Sequence, residues 1–448
     1  MDSATRAQET LLLRRKLHLL LRTGQLLMES AADTNRVHRN MMRVAAFLAI
    51  PEEKLHIDIR WTMLIVNVSD EYHSFSKFQK CERHGVNMDT ITAISKLSWR
   101  AIDQDYSLDK YEEELEAIAV KPRAYKHYLV AIAAGLACGG FCKLFGCDWI
   151  AFVFASIAAT VGFQIRTWNI NFGVNAYMSM AIAALASTCI AYLSSLSNLS
   201  ATPYHPLLAC ALFIVPGVPL INFVDDMIDN YLLVGLTRFA NSMMMIGSMT
   251  FGITMALGML GTNDVAIDLK FSELSIVPHD SYLVYALAAA VAAVGFSMIF
   301  NVPRRLLWVV ALGGVIAVCT RNFVNFELGC GPVIGSGAGA LLVSLIATKM
   351  VHVVHAPTHI LTIPSVIPMI PGVLMYRSLL GLIHISDANS NINAILSNGV
   401  NASLIVLAIS VGVAIPNIFA RRYIARDRQK LLHQMLHERA ERGIFDER

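Results

Sequence analysis

Charge is what this chain has least of: 15% of its residues are Asp, Glu, Lys or Arg, against 55% hydrophobic ones. That composition excludes an ordinary soluble enzyme, a secreted protein and a disordered chain. The scarcity is local. Residues 1–126 carry 19 Lys/Arg and 18 Asp/Glu, residues 127–420 carry 9 and 10, and residues 421–448 carry 8 and 5. The long middle block reads as a membrane domain between a head of ordinary composition and a short basic tail. The net charge of +3 is a balance of head and tail and gives no support for nucleic-acid binding.

Other absences narrow the chemistry. No Walker lysine motif, no G-x-S-x-G and no H-E-x-x-H occurs, so ATP-driven pumping and membrane hydrolysis lack their usual residues. Leu11, Leu12 and Leu13 run into Arg14, Arg15 and Lys16 with no small-residue cleavage site, unlike a signal peptide, so the head is expected in the cytoplasm. Among eight cysteines, Cys138, Cys142 and Cys147 lack the paired spacing and nearby histidines of a zinc site and read as small membrane residues. His352, His355 and His359 have helical i, i+3, i+7 spacing, but Pro357 interrupts it, which favours an interfacial role over a proton relay or a metal site. No enzyme activity, metal or cofactor is expected.

What is present is a series of ten apolar runs, at 127–145, 149–165, 174–194, 205–223, 232–258, 282–300, 306–320, 330–351, 359–376 and 398–420. Most come close to the ~20 residues that a helix needs to cross the hydrocarbon core. Lys121, Arg123 and Lys126 precede the first, and Arg421, Arg422, Arg426, Arg428 and Lys430 follow the last, so both termini are expected on the cytoplasmic side of an inner or plasma membrane. The domain plan is a cytoplasmic α/β domain over 1–126, a five-helix repeat over 127–260, an extracytoplasmic loop over 261–281, a second five-helix repeat over 282–420 and a basic cytoplasmic tail over 421–448.

The repeat is read from an offset of 155. Pro216-Gly217-Val218 recurs as Pro371-Gly372-Val373, and Arg166 with Trp168 recurs as Arg321 with Phe323. Five spans per unit is an odd number, so the two units must cross in opposite directions. The expected fold is therefore an α-helical polytopic membrane protein with ten transmembrane helices in an inverted 5+5 repeat, a geometry typical of secondary transporters. Pro216, Gly217 and Pro219 break the fourth span, and Pro364, Pro368, Pro371 and Gly372 crowd the ninth. Such breaks free backbone groups that must face protein, water or substrate. Asn222, Asp225, Asp226 and Asp229 follow the first break and Arg377 follows the second. An ionisable group kept beside a broken intramembrane helix is a candidate for the transport path, whereas the bland reading puts all the acids in a solvated turn. Gly331, Gly335 and Gly339, and likewise Ala131, Gly135 and Gly139, stand four apart and read as helix packing.

In the head, Leu55, Ile57, Ile59, Trp61, Met63 and Ile65 alternate as one strand, with a second strand at 72–79 and helices near 89–103 and 107–119. Val37, Met41, Val44 and Leu48 mark a helix capped by Asp33 or Thr34. Asp33, Arg36, His38, Arg39 and Arg43 put polar groups on it, as a solvated face or as a functional surface.

The stretch from Ser30 to Val37, with Asp33, Thr34 and Arg36, followed by Met41, Met42 and Arg43, resembles the motif that opens the cytoplasmic domain of the threonine/serine exporter family. Pro216 to Asn222 with Asp226 resembles the family's first Pro-Gly motif, and Pro371-Gly372 with Tyr376-Arg377 the second. The resemblance covers roughly 20–420. It departs at Ala31-Ala32-Asp33, where the family has Gly-Ala-Glu, and at His38, where an acid is common. It implies export of threonine and serine in exchange for protons, with Asp226, Asn222, Arg377 and the two breaks on the pathway, to which the repeated intramembrane pair Arg166 and Arg321 is added as candidates. A split, two-protein relative is similar to a succinate exporter, so a dicarboxylate exporter with Arg166, Arg238, Arg321 and Arg377 as anion clamps is the alternative; a membrane-anchored sensor is an alternative of another class. The partners expected are a small-molecule amino acid or dicarboxylate, protons and the lipid bilayer, and a homo-oligomer is compatible with the sequence.

Overall fold

A computed structural model describes residues 3–69, 74–82, 84–260, 281–354, 356–383 and 391–441. The expected loop at 261–281 therefore lies almost wholly outside the described residues, as do His355 and the end of the tail. The chain divides into two compact units, one of Met1–Arg123, Asn222–Arg238 and Asn417–Arg448, the other of Ala124–Ile221 and Phe239–Pro416.

In the first unit, helix α1 (Ser3–Glu29) precedes α2 (Thr34–Phe47), a three-stranded antiparallel sheet in the order β1 (Leu55–Ile59), β2 (Met63–Ser69), β3 (Ser74–Lys80), and helices α3 (Met88–Asp103) and α4 (Leu108–Val120). The apolar positions of α2 recur every three to four residues, and Val37, Met41 and Val44 are fully buried. Tyr111 of α4, also buried, shares a hydrogen bond with Thr23 of α1 at 2.9 Å. The expected single strand over 55–65 is two. The chain turns at Arg60–Thr62 and pairs Leu55 with Val68, so β2 buries Leu64, Val66 and Val68 and leaves Met63 and Ile65 on the half-exposed face. A tight turn resets which face of a strand is inward, and an unbroken alternation of apolar residues conceals it. Helix α1 was absent from the sequence expectation, because Arg14, Arg15 and Lys16 interrupt its leucines. Arg15 pairs with Asp109 and Glu112 of α4, and Arg22 with Glu116.

The membrane helices begin with α5 (His127–Leu144), α6 (Trp149–Asn171) and α7 (Ala176–Leu196), followed by α8 (His205–Ala209), α9 (Gly217–Ile228) and α10 (Leu232–Met259). Then come α11 (Tyr282–Ile299), α12 (Leu307–Asn322), α13 (Gly331–Val354), α14 (Thr358–Val366), α15 (Gly372–Ile383) and α16 (Ile392–Glu441). Among the described residues eight helices are long and apolar enough to cross a membrane, and two further pairs, His205–Ile214 with Gly217–Ile228 and Thr358–Met369 with Gly372–Ile383, are bent by 59° and 53°, the geometry of a broken span or a re-entrant loop. Ten spans thus result if each bent pair counts once, matching the ten apolar runs. The two short runs lengthen: the helix from Trp149 continues to Asn171, and the one from Leu307 passes into a π-helical turn at Phe323–Glu327.

The starts of α11, α13 and α15 fall 155 residues after those of α5, α7 and α9. Within the second unit the close approaches are reciprocal. A side chain at Gly140 would meet the Ala288 carbonyl at 2.8 Å and the Ala292 methyl at 3.2 Å, while one at Gly295 would meet the Ala133 carbonyl at 2.4 Å and the Ala137 methyl at 2.8 Å. Each of these residues is the other's counterpart at the same offset. Four of the expected packing glycines behave likewise, Gly135 lying against Ser156 and Thr160, Gly139 against Ser156, Gly335 against the Arg321 carbonyl and Gly339 against the Ala317 carbonyl, whereas Gly331, at φ 85° with nothing within 4 Å, serves the turn into its helix and not packing.

Replacing Gly295 by Ala should therefore lower stability by about 1–3 kcal/mol through overpacking, seen as a lower thermal midpoint of the detergent-purified protein. Gly247→Ala on α10, where nothing lies within 4 Å of the added methyl, should leave the midpoint unchanged or raise it.

Candidate functional site

Two clusters gather the residues singled out in the sequence. The first is built on the turn after α1. Ala31 has φ 62°, a left-handed conformation that costs an L residue roughly 1–2 kcal/mol; the Ala32 N–H bonds back to the Leu27 carbonyl at 3.1 Å and closes the helix end. Asp33 then caps α2, accepting the Arg36 N–H at 2.8 Å on one oxygen and the Arg36 Nε at 2.9 Å on the other. Asp33 and Arg36 are buried, and His38, Arg39 and Arg43 are half-buried, so the polar face is no solvated face.

Residues 222–238, in the same compact unit, complete this cluster. The Ala31 carbonyl accepts from Asn222 Nδ2 at 2.8 Å and the Ala32 carbonyl from Arg238 Nη2 at 2.7 Å. Asp226 accepts the Thr34 N–H on Oδ1 at 2.9 Å, and its Oδ2 forms an ion pair with Arg238 Nε at 2.8 Å. Both members of this ion pair are buried, at 0% and 1% exposure, so the bland reading of a solvated turn fails for Asp226. Asp225 is buried as well, whereas Asp229 is half-buried and accepts from Asn35 Nδ2 at 2.5 Å. The Arg238 guanidinium lies 5.0 Å from the centroid of Trp61, whose other neighbour is the stacked ring of His84 at 4.0 Å. Tyr231, between α9 and α10, is pushed above its ordinary pKa by burial first and then by Asp229 and Asp226; burial holds His38 below the usual histidine range.

The second cluster is the pair of helix breaks in the other unit. Gly217 N–H bonds the Val215 carbonyl at 2.8 Å and Gly372 N–H the Ile370 carbonyl at 2.9 Å; Leu220 N–H reaches the Pro216 carbonyl at 3.0 Å and Met375 N–H that of Pro371 at 3.1 Å. The two breaks thus share one backbone geometry. They also face each other: a side chain at Gly217 would strike Ile367 and Ile370, and one at Gly372 would strike Leu212 and Val215. The small void between them is lined by Phe141, Leu212, Val215 and Gly217 together with Phe296, Ile367, Ile370 and Gly372. These are four pairs at the 155 offset, and the rings of Phe141 and Phe296 meet edge to face at 5.7 Å.

Asp33, Thr34, Arg36, Asn222 and Asp226 thus come together in one unit, and Pro216, Gly217, Pro371 and Gly372 in the other. Pro219, Arg166, Arg321 and Arg377 belong to the second unit, where Arg321 donates to Asn322 Oδ1 at 3.1 and 3.0 Å. Sequence reasoning missed that Arg238 is the partner of Asp226. The available signal was one intramembrane acid and one intramembrane base on successive spans, which favours a pair. Among the described residues no group of three or more His, Cys, Asp or Glu could hold a metal ion.

Many apolar helices and two bent helix pairs define a multi-pass helical membrane protein. Two family models, both described as threonine/serine exporter, match residues 18–260 and 285–419, and the chain belongs to that family of membrane exporters, which are not enzymes. It is similar to the "Probable succinate transporter subunit YjjP" of Escherichia coli (strain K12), 27% identical over 244 residues that cover 54% of this chain and 94% of that protein. The protein of the same name from Klebsiella aerogenes is 26% identical over 244 residues, covering 54% and 93%. No solved structure matches the chain significantly.

Asp33→Ala removes both a helix cap and one side of a buried ion pair, and a buried pair broken on one side costs about 3–5 kcal/mol. The amount of membrane-inserted protein, measured by quantitative blotting, should fall several-fold, while Asp33→Asn, which retains the capping oxygen, should fall less.

Proposed function

We propose that this protein is a secondary transporter of an inner or plasma membrane that exports threonine and serine in exchange for protons. Its ten spans form an inverted 5+5 repeat over 127–260 and 282–420, both termini are cytoplasmic, and residues 1–126 are a cytoplasmic domain. The observation that carries this reading is the meeting of two breaks with one backbone geometry, lined by four residue pairs at a constant offset. Reciprocal contacts, in which i meets j and the counterpart of j meets the counterpart of i, are what a two-fold relation gives. The approach of Gly140 to 288–292, and of Gly295 to 133–137, suits helices running antiparallel, because parallel helices would bring equal heights together. An axis lying in the membrane plane has that effect, and it is the symmetry of transporters that rock one half against the other.

The void at the seam has room for about one water, too little for an amino acid. Transport then consists of parting the breaks from one side at a time, with Pro216, Gly217, Pro219, Pro371 and Gly372 as the hinge elements and Arg166, Arg321 and Arg377 on the path. Asp226 carries the proton. Moving one charge through about 100 mV supplies about 2.3 kcal/mol, which at 1.4 kcal/mol per tenfold ratio sustains roughly a 40-fold gradient. One proton per substrate suffices.

A dicarboxylate substrate is the second reading, favoured by the name of the YjjP relatives. The burial of Arg238 against Asp226 argues against Arg238 as an anion clamp and leaves Arg166, Arg321 and Arg377 for that role.

Counterflow in proteoliposomes with labelled threonine, serine and succinate separates the substrates; uptake of succinate alone would reverse the assignment. Cells lacking the protein and fed threonine-containing dipeptides should accumulate threonine, and restoring it should lower the level until an uncoupler is added. Export that survives the uncoupler unchanged would end the antiport reading. Asp226→Asn should impair uncoupler-sensitive export more than Asp225→Asn or Asp229→Asn, and equal losses for all three would remove Asp226 from the proton path.

A further inference from the structure

In the second unit the segment before α5 is fastened to the segment after α11. The Ala124 N–H donates to Asn301 Oδ1 at 2.9 Å, the Tyr125 hydroxyl to the Val302 carbonyl at 2.6 Å, and Arg304 Nη2 to the Ala124 carbonyl at 2.6 Å. The Arg304 guanidinium also lies 5.6 Å from the centroid of the Tyr125 ring. These bonds bring Lys126, Arg304 and Arg305 to one end of the unit; all three are exposed, and none of them pairs with an acid among the described residues. The two described acids of the unit stand at the other end, where Asp148 caps α6 beyond the end of α5 and Glu327 accepts the Tyr282 hydroxyl at the start of α11. The fold does not require the cations, because their counterparts at the 155 offset are Ser281, Trp149 and Ile150. Apolar rows begin beside them. Tyr128, Ile132 and Leu136 recur at every fourth position of α5, as Trp308 and Leu312 do on α12, and all five are exposed.

We propose that Lys126, Arg304 and Arg305, with Tyr128 and Trp308, form a binding site for the headgroup phosphate of an anionic phospholipid. Arg304, fixed by Ala124 and Tyr125, presents a guanidinium whose geometry matches phosphate oxygens, and Lys126 and Arg305 supply the flanking charge. Tyr128 and Trp308 are the rings at the membrane–water interface, and the acyl chains lie along the aliphatic positions beyond them. Cations that serve only to orient a span need no fixed place, whereas Arg304 is bonded into the join of α5 and α11. The leaflet alone rests on the orientation proposed above: with the amino terminus cytoplasmic, the lipid belongs to the cytoplasmic leaflet, whose anionic lipids attract such basic clusters.

The test is native mass spectrometry of the full-length protein in detergent, titrated with phosphatidylglycerol or with phosphatidylcholine of the same acyl chains. Phosphatidylglycerol should bind about tenfold or more tightly than phosphatidylcholine. Lys126→Gln and Arg305→Gln change only exposed side chains, and each should weaken phosphatidylglycerol about fivefold, the pair about twentyfold, at an unchanged thermal midpoint. Lys349→Gln removes an exposed cation from α13 and should weaken it less than about twofold, as the control for unspecific attraction. Inorganic phosphate in large excess should leave the lipid bound, and displacement would make this a site for a soluble phosphate and overturn the lipid assignment. The proposal also falls if both lipids bind alike, if the double variant keeps wild-type affinity, or if Lys349→Gln loses as much as Arg305→Gln. Orientation is read separately, by a membrane-impermeant maleimide on Lys126→Cys, with Cys330→Ser as background because Cys330 is exposed. Labelling only after the membrane is opened is the expected result; labelling from outside intact cells would overturn the leaflet assignment and the cytoplasmic termini while leaving the lipid site standing.

Discussion

An ion pair that is almost wholly out of water constrains this structure more than any other single interaction. Taking a carboxylate and a guanidinium out of solvent costs several kcal/mol each, and their attraction offsets that only when the remaining donors and acceptors are also satisfied. Asp226 and Arg238 each draw one such bond from backbone elsewhere in the chain: the Thr34 amide for the acid and the Ala32 carbonyl for the base. The left-handed Ala31 follows from this, because the turn must bring its carbonyls within reach of Asn222 and Arg238. The capping of α2 by Asp33 follows as well, since the first turn of that helix carries the amide that Asp226 needs.

The second unit is governed by a backbone constraint of another kind. Proline within a membrane helix leaves polar backbone groups that lipid cannot satisfy, so a break must be covered by protein. Here each break covers the other. A side chain at Gly217 or at Gly372 would displace the apolar side chains beside the opposite break. The same economy holds between α5 and α11, where Gly140 and Gly295 admit the opposing helix almost to its backbone. Small residues at these positions let van der Waals packing act where no hydrophobic driving force exists between helices in lipid.

The ten apolar runs, the two breaks, the 155-residue offset and the Asp33 cap were all legible in the sequence, because each depends on local pattern: hydropathy over ~20 residues, the stereochemistry of proline, the side-chain oxygen before a helix. Charge patterning over long stretches also fixed what the chain is not. The strand over 55–65 misled, since period-two alternation continued across a turn whose effect is to invert the faces. Helix α1 was hidden by basic residues whose partners, Asp109, Glu112 and Glu116, lie more than ninety positions away.

Tertiary structure alone decided which polar residues belong together. In the sequence, local pattern treats Asp225, Asp226 and Asp229 alike as acids after a broken span, a family resemblance alone picks out Asp226, and Arg238 is one of several intramembrane cations. The fold supplies the physical difference, by placing Arg238 beside one oxygen of Asp226 and the Thr34 amide on the other. Composition sets the energetic cost of burying a charge, but the groups that offset it come from positions some two hundred residues apart, and nothing in local pattern encodes that meeting.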